Sequence, residues 1–169
     1  MTSTETLYRI FLEHPSVQTD SRKIKQGDLF FALKGPQFNG NAYAEQAIQE
    51  GAAYAVIDEA EFATDDNMLL VEDVLIALQQ LARHHRLQFN IPFIAITGSN
   101  GKTTTKELIY AVLSARYKTY ATDGNLNNHI GVPLTLLRIQ PDAEMAIIEM
   151  GANHLGEIAA YCRIALPDF

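Results

Sequence analysis

The sequence predicts an α/β protein, with a small amino-terminal α/β domain followed by part of a second α/β domain that has a mostly parallel sheet. Short apolar segments of strand length alternate with segments whose apolar residues recur at the helical period of about 3.6. Glycine, proline and asparagine cluster between these segments, where turns are expected. A break at Asn90-Ile91-Pro92 precedes a new strand and loop, so the predicted domains are residues 1–89 and 90–169.

Length and composition restrict the class of protein. A chain of 169 residues and 18.8 kDa with 47% hydrophobic and 20% charged residues can bury a core, which excludes wholesale disorder. The net charge of -7 and the pI near 5.1 argue against nucleic acid binding through a basic surface. No apolar run approaches the roughly 20 residues of a membrane helix, no signal-peptide pattern is present, and Cys162 is the single cysteine. These features favour a cytoplasmic protein without membrane insertion, and we expect a monomer.

Local signals define the elements of the first domain. The first helix is expected to end before Pro15, because a residue that precedes proline disfavours helical backbone. Gly51 is the expected carboxyl-terminal cap of the second helix. In the last helix the apolar positions 74, 75, 78, 81 and 82 fall on one face. The predicted elements are a helix at 6–13, a strand at 29–33, a helix at 42–50, strands at 53–57 and 68–71, and a helix at 74–87.

The second domain repeats the alternation of strands and helices. We predict a strand at 93–97, a glycine loop, a helix at 102–116, a strand at 119–121, a short helix near 133–138 and a strand at 145–149. Only about three strands have then appeared, whereas parallel sheets usually have more. We therefore expect the chain to be the front part of a longer protein, and the alternative is a complete small protein with a mixed sheet.

The strongest functional signal lies at residues 97–104. An apolar strand runs into two glycines, a lysine, hydroxyl residues and a helix. Glycines let backbone N–H groups turn toward one point, and a helix amino terminus adds about half a positive charge there. A lysine in this place reaches the β- and γ-phosphates of ATP, and the hydroxyl after it can ligate Mg²⁺. The ATP-binding candidates are Thr97, Gly98, Ser99, Asn100, Gly101, Lys102, Thr103 and Thr104, with Lys102 as the catalytic candidate.

The loop departs from the usual pattern, because Ile96 stands where the first glycine is expected. The alternative is a glycine turn with a surface lysine. A metal partner is expected at the end of another strand, and the apolar strand that ends in Glu149 supplies one. Mg²⁺ prefers oxygen ligands, commonly a carboxylate with phosphates and waters. We predict that Thr103 and Glu149 hold the ion, although a glutamate after a strand can also be a plain strand terminus.

A loop dense in amides precedes Pro133. Asparagine side chains both donate and accept hydrogen bonds, which suits loops that line sugars, phosphates or amide substrates. Asn125, Asn127 and Asn128 are therefore substrate-binding candidates, and His154 is a further one. The alternative for each asparagine is helix capping or turn formation, and for the histidine a position at the start of a helix.

Three segments, at 97–104, 124–133 and 149–154, resemble the Mur ligase family of peptidoglycan synthesis. Segments 20–23, 27–35 and 38–40 resemble the uridine-nucleotide-binding domain of the same family, so the resemblance covers essentially the whole chain. The segments at 124–133 and 149–154 are most similar to the members that add D-alanyl-D-alanine to a UDP-N-acetylmuramoyl tripeptide. The resemblance also implies that Ser21 and Arg22, with the backbone near Lys34 and Gly35, hold the uridine nucleotide.

The resemblance implies an ATP-dependent amide ligase with Mg²⁺. In the family, the γ-phosphoryl group of ATP is transferred to the terminal carboxylate of the UDP-linked peptide, and the incoming amine then displaces phosphate to form an amide. The family has three domains, of which this chain would hold the first and about half of the second, so we expect the chain alone to be inactive. The alternatives are another Mur-type ligase, a folylpolyglutamate-type ligase, or a non-catalytic phosphate-loop module. A GTPase switch is disfavoured because the sequence has no Asn-Lys-x-Asp motif.

Overall fold

Four parallel strands form the sheet of the amino-terminal part of the chain in the computed structural model, which describes residues 1–169. Their spatial order is β1-β2-β5-β6, and a separate antiparallel hairpin joins β3 and β4. The strands are β1 (Val17–Gln18), β2 (Leu29–Phe31), β3 (Lys34–Gly35), β4 (Phe38–Asn39), β5 (Tyr54–Ile57) and β6 (Met68–Leu70). The helices are α1 (Thr4–Glu13), α2 (Ala44–Gln49) and α3 (Val74–Arg86).

The core of this first unit lies between the sheet and α2. The strand residues Phe30, Ala55 and Ile57 are buried, and Ala44 and Ala47 pack against them from the helix. Small alanines on α2 allow the helix backbone to lie close to the strands. The loops that follow β1 and β2 line a cavity.

The second part of the chain has a three-stranded parallel sheet in the order β7-β9-β8. Each strand is followed by a helix, as the alternation in the sequence predicts, so the predicted α/β class with mostly parallel sheets is confirmed. The elements are β7 (Phe93–Ile96), α4 (Lys102–Ser114), β8 (Thr119–Ala121), α5 (Gly131–Leu137), β9 (Met145–Glu149) and α6 (Glu157–Ala165). None of the six helices has the length and apolar character needed to cross a membrane.

Several element boundaries differ from the prediction for local reasons. Helix α1 begins at Thr4 rather than at residue 6, because the Ser3 hydroxyl accepts the N–H of Thr6 as an amino-terminal cap. The helix predicted at 42–50 is divided into a 3₁₀ turn, Gly40–Tyr43, and α2. Gly51, at a φ of 112°, follows α2 as expected.

The compact units are Met1–Leu81 and Ala82–Phe169, so they divide within α3. The last turn of the helix belongs to the second unit and is bonded within it. His85 Nε2 lies 2.9 Å from the carbonyl oxygen of Ile139, and Arg86 Nε donates to the carbonyl of Ala165 at 2.9 Å. The guanidinium of Arg86 also stacks on the ring of Phe93, 3.7 Å from its centroid. A domain boundary between residues 89 and 90 stays a prediction.

Candidate functional site

The glycine loop after β7 is shaped for an anion. Gly98 and Gly101 have φ angles of 150° and 77°, which residues with a β-carbon rarely adopt. Gly101 is the amino-terminal cap of α4 and offers no side chain to its first N–H groups. These N–H groups and the helix dipole therefore remain available to a ligand.

Lys102 lies over this loop. Its Nζ donates to the carbonyl of Gly98 at 2.6 Å, so the ammonium folds back across the glycines. The side chain is half-buried, whereas the predicted ATP-binding residues around it are exposed: Thr97, Gly98, Ser99, Asn100, Gly101, Thr103 and Thr104. A cation and uncapped N–H groups thus converge on one solvent-accessible loop.

Glu149 lies at the same edge of the sheet as the loop, because Ile96 and Glu149 pair at the carboxyl ends of β7 and β9. Its carboxylate is buried, with the residue only 1% exposed. Oε1 accepts hydrogen bonds from Thr103 Oγ1 at 3.2 Å and from Asn127 Nδ2 at 2.8 Å, whereas the buried Oε2 has no partner. A buried carboxylate with an unpartnered oxygen is costly by itself. It suits a cation, and the hydroxyl of Thr103 is an oxygen donor beside it.

Asn127 is fixed against β9. The backbone carbonyl of Asn127 accepts the N–H of Gly151 at 2.8 Å, and its side-chain amide donates to the carboxylate of Glu149. A β-carbon on Gly151 would lie 3.0 to 3.1 Å from three atoms of the Asn127 side chain. A β-carbon at 151 would therefore require the Asn127 amide to move by a few tenths of an ångström. The structure directs the Asn127 amide to the carboxylate, and its predicted contact with substrate stays a prediction.

Of the remaining substrate-binding candidates, Asn128 and His154 have local partners. Asn128 Oδ1 accepts the N–H groups of Ile130 and Gly131 at 3.1 and 2.8 Å, which caps the start of α5. Asn125 is exposed. His154 is exposed as well, and its N–H donates to Glu157 Oε2 at 3.0 Å. The hydrogen bonds from the N–H groups of residues 153 and 154 lower the pKa of the Glu157 carboxyl.

Sequence reasoning missed two residues of this site, Thr122 and Lys106. Thr122 Oγ1 accepts the N–H of Glu149 at 2.9 Å, and Lys106 Nζ donates to the carbonyl of Thr122 at 2.7 Å. Both residues are buried. The available signals were weak: a threonine directly after a short strand, and a lysine one helical turn after Lys102.

A separate cavity of about 400 Å³ in the first unit contains two predicted nucleotide-binding residues, Ser21 and Arg22. Arg22 forms a two-pronged ion pair with Asp20, from Nε and Nη2 at 2.8 Å each. This side-chain hydrogen bond lowers the pKa of Asp20 to about 2. The cavity is lined by Thr19, Asp20, Ser21, Arg22, Phe30, Leu33, Phe38, Gly40 and Tyr43.

Lys34 and Gly35 form β3, which pairs with β4, the strand that contains the cavity residue Phe38. Lys34 Nζ is 3.0 Å from Asp58 Oδ1 and 3.4 Å from Glu59 Oε1, and the hydrogen bond to Asp58 raises the pKa of the lysine. Gly35 packs under the ring of Phe38, where a β-carbon would collide with the ring. The structure thus brings Ser21 and Arg22 together in one cavity, while Lys34 is paired with carboxylates.

The second unit has a glycine loop beside a buried carboxylate, and a small α/β unit precedes it. Both features agree with the family that the sequence matches. The chain belongs to the Mur ligase family. Residues 96–169 match the family described as the Mur ligase middle domain, and residues 15–87 match the one described as Mur ligase family, catalytic domain.

The similar proteins within that family are ligases of one kind. The UDP-N-acetylmuramoyl-tripeptide–D-alanyl-D-alanine ligases of Bacillus subtilis and Escherichia coli are 46% and 44% identical over 154 and 153 residues, covering 90% of this chain and 34% of each relative. The crystal structure of the MurF ligase from Thermotoga maritima in complex with ADP is 34% identical, with a TM-score of 0.83 over 93% of this chain and 36% of that one. The chain thus spans about a third of the length of the curated relatives that it matches.

Proposed function

We propose that this chain provides the UDP-substrate-binding domain, residues 1–89, and the phosphate-loop part of the ATP-binding domain, residues 90–169, of an ATP-dependent ligase. The ligase joins D-alanyl-D-alanine to a UDP-N-acetylmuramoyl tripeptide in peptidoglycan synthesis. One observation carries the proposal: Thr103, at the start of the helix behind the glycine loop, donates to the buried carboxylate of Glu149, whose second oxygen has no partner. The names of the similar ligases support the substrates.

The residues of the second unit are suited to holding Mg·ATP. The ammonium of Lys102 and the first N–H groups of α4 would neutralise phosphate oxygens. Thr103 and Glu149 would hold Mg²⁺, which when bound shields the negative charge that gathers as a carboxylate approaches the γ-phosphate. Because phosphoryl transfer depends mainly on positioning and charge neutralisation, no nucleophilic side chain is required of this chain.

The first unit is suited to holding the uridine nucleotide. Ser21 offers a hydroxyl and Arg22 a guanidinium at one cavity, and the exposed rings of Phe38 and Tyr43 border it. Aromatic faces and a planar cation are the groups that bind a base and a phosphate. Contacts of substrate with Lys34, Gly35 and the residues Asn125, Asn127, Asn128 and His154 remain part of the proposal. We place the enzyme in the cytoplasm, which the single cysteine supports.

Calorimetric titration of ATP with Mg²⁺ into the chain and into Lys102→Ala tests the ATP site. We expect saturable binding to the wild type. The variant should lose about 1.5–3 kcal/mol of binding free energy, which is roughly tenfold or more in affinity. Binding of the UDP-N-acetylmuramoyl tripeptide serves as the internal control and should be the same in both proteins. Equal ATP affinity in both proteins would contradict the assignment of Lys102.

A further inference from the structure

Helix α4 contains a buried lysine that the proposed nucleotide contacts do not use. Lys106 is 1% exposed, and its Nζ donates to the carbonyl of Thr122 at 2.7 Å and lies 2.8 Å from Glu107 Oε1. Glu107 is itself largely exposed. Burial of an ammonium group is unfavourable unless its hydrogen bonds are made with good geometry. The hydrogen bond from Lys106 to Thr122 is therefore expected to hold part of the structure in place.

Thr122 connects Lys106 to Glu149. It follows β8 and is 2% exposed, and each of its polar groups has a partner. Its N–H donates to the carbonyl of Ile147 at 3.0 Å, its Oγ1 accepts the N–H of Glu149 at 2.9 Å, and its carbonyl accepts from Lys106. The backbone of Glu149 is thus fixed by the same residue that the lysine holds.

These contacts close a ring. Thr103 Oγ1 donates to the Glu149 carboxylate at 3.2 Å, the Glu149 N–H donates to Thr122, and the Thr122 carbonyl accepts from Lys106. Thr103 and Lys106 are three residues apart on α4, so their side chains lie on neighbouring positions of one helix face. A closed ring of short contacts fixes both the distance and the rotation of α4 relative to the ends of β8 and β9.

We propose that Lys106 is a positioning residue for the cation site: it docks α4 on Thr122 and thereby holds the Thr103 hydroxyl and the Glu149 carboxylate in register for Mg²⁺. The inference rests on the proposed function, because it concerns the same Mg·ATP site. Without Lys106, Thr103 is the only member of the ring on α4, and the buried carbonyl of Thr122 loses its donor. The expected defect lies in the Mg²⁺ requirement and not in the uridine nucleotide site.

The experiment measures the Mg²⁺ concentration for half-maximal ATP binding to the chain, together with the melting temperature without ligand. Lys106→Met and Thr122→Val should each raise that concentration by about tenfold. This is the lower end of the loss in metal affinity that follows when a group that orients a metal ligand is removed. Thr122→Ser keeps the hydroxyl and should stay close to the wild-type value. Ile139→Val, a buried control in the same unit, should lower the melting temperature and leave the Mg²⁺ requirement unchanged.

The double variant Lys106→Met/Thr122→Val should need little more Mg²⁺ than either single variant, because both changes open the same ring. A folded Lys106→Met protein with the wild-type Mg²⁺ requirement would overturn the proposal. If Lys106→Met does not fold, equal Mg²⁺ requirements in Thr122→Val and Thr122→Ser would overturn it instead. A wild-type chain that binds no ATP at any Mg²⁺ concentration would contradict the proposed function itself.

Discussion

Replacing Glu149 by glutamine should have opposite effects on stability with and without ligand. In the chain without metal, the buried carboxylate has one oxygen with two donors, from Thr103 and Asn127, and one oxygen with none. Glutamine keeps an oxygen for those two donors and removes the charge. The side-chain volume hardly changes, so the packing around residue 149 should be preserved.

The magnitude follows from the unpartnered oxygen. Leaving a buried polar group unsatisfied costs about 1–3 kcal/mol, more when it is charged. The amide nitrogen that replaces Oε2 has no acceptor there either, so we take the lower end, a gain of about 1 kcal/mol for the ligand-free variant. For a unit the size of Ala82–Phe169, this corresponds to a rise of about 4–8 °C in melting temperature.

Mg·ATP should reverse the order of the melting temperatures of the wild type and Glu149→Gln. A ligand at a hundred times its dissociation constant stabilises the folded state by about 2.7 kcal/mol, which exceeds the gain from the substitution. The wild type should therefore melt above Glu149→Gln in saturating Mg·ATP and below it without ligand. Scanning calorimetry measures both, with Glu144→Gln, at an exposed carboxylate near the start of β9, as the matched control. A ligand-free variant that is less stable than the wild type, with an unchanged response to Mg²⁺, would contradict a role of Glu149 in the cation site.

Two further substitutions test the packing of the second unit. Gly151→Ala should push the Asn127 amide away from Glu149 and destabilise the chain by about 1–3 kcal/mol; an unchanged melting temperature would argue against the close approach. Burial lowers the pKa of His85 from its ordinary 6.5, so its stabilising effect is complete above pH 6.5 and is lost as the pH falls, because the unfolded chain then binds the extra proton. Unfolding measured between pH 7 and pH 5 should show a smaller loss of stability in His85→Gln than in the wild type.

Much of the fold follows from local patterns. The elements around the phosphate loop were predicted almost to the residue, because β7, α4, β8 and β9 combine strong periodicity with clear turn signals. The two-residue strands β1, β3 and β4 were missed, since so short a segment has no periodicity to detect. Helix α6 was foreseen only as the alternative for His154, because glycine and polar residues precede it and Gly156, at a φ of 87°, starts it without a side-chain cap.

The site was predictable as far as motif order reaches. Gly98, Lys102 and Glu149 were identified because each stands at a fixed place relative to a strand or a helix. Thr122 and Lys106 were not, because Lys106 on α4 contacts the backbone of Thr122, and Thr122 contacts the backbone of Glu149 on β9. Such contacts between elements exist only once the sheet order is known. The hydrogen bond between the side chains of Asn127 and Glu149 likewise joins a loop to a strand that is distant in the sequence.

The proposed function requires the chain to bind a UDP-N-acetylmuramoyl tripeptide. Calorimetric titration of that compound into the chain tests this requirement, with Arg22→Ala as the variant and Lys102→Ala as the control in the other unit. We expect saturable binding of one molecule per chain that Arg22→Ala weakens and Lys102→Ala leaves unchanged. A folded wild-type chain that shows no saturable binding of the compound would contradict it.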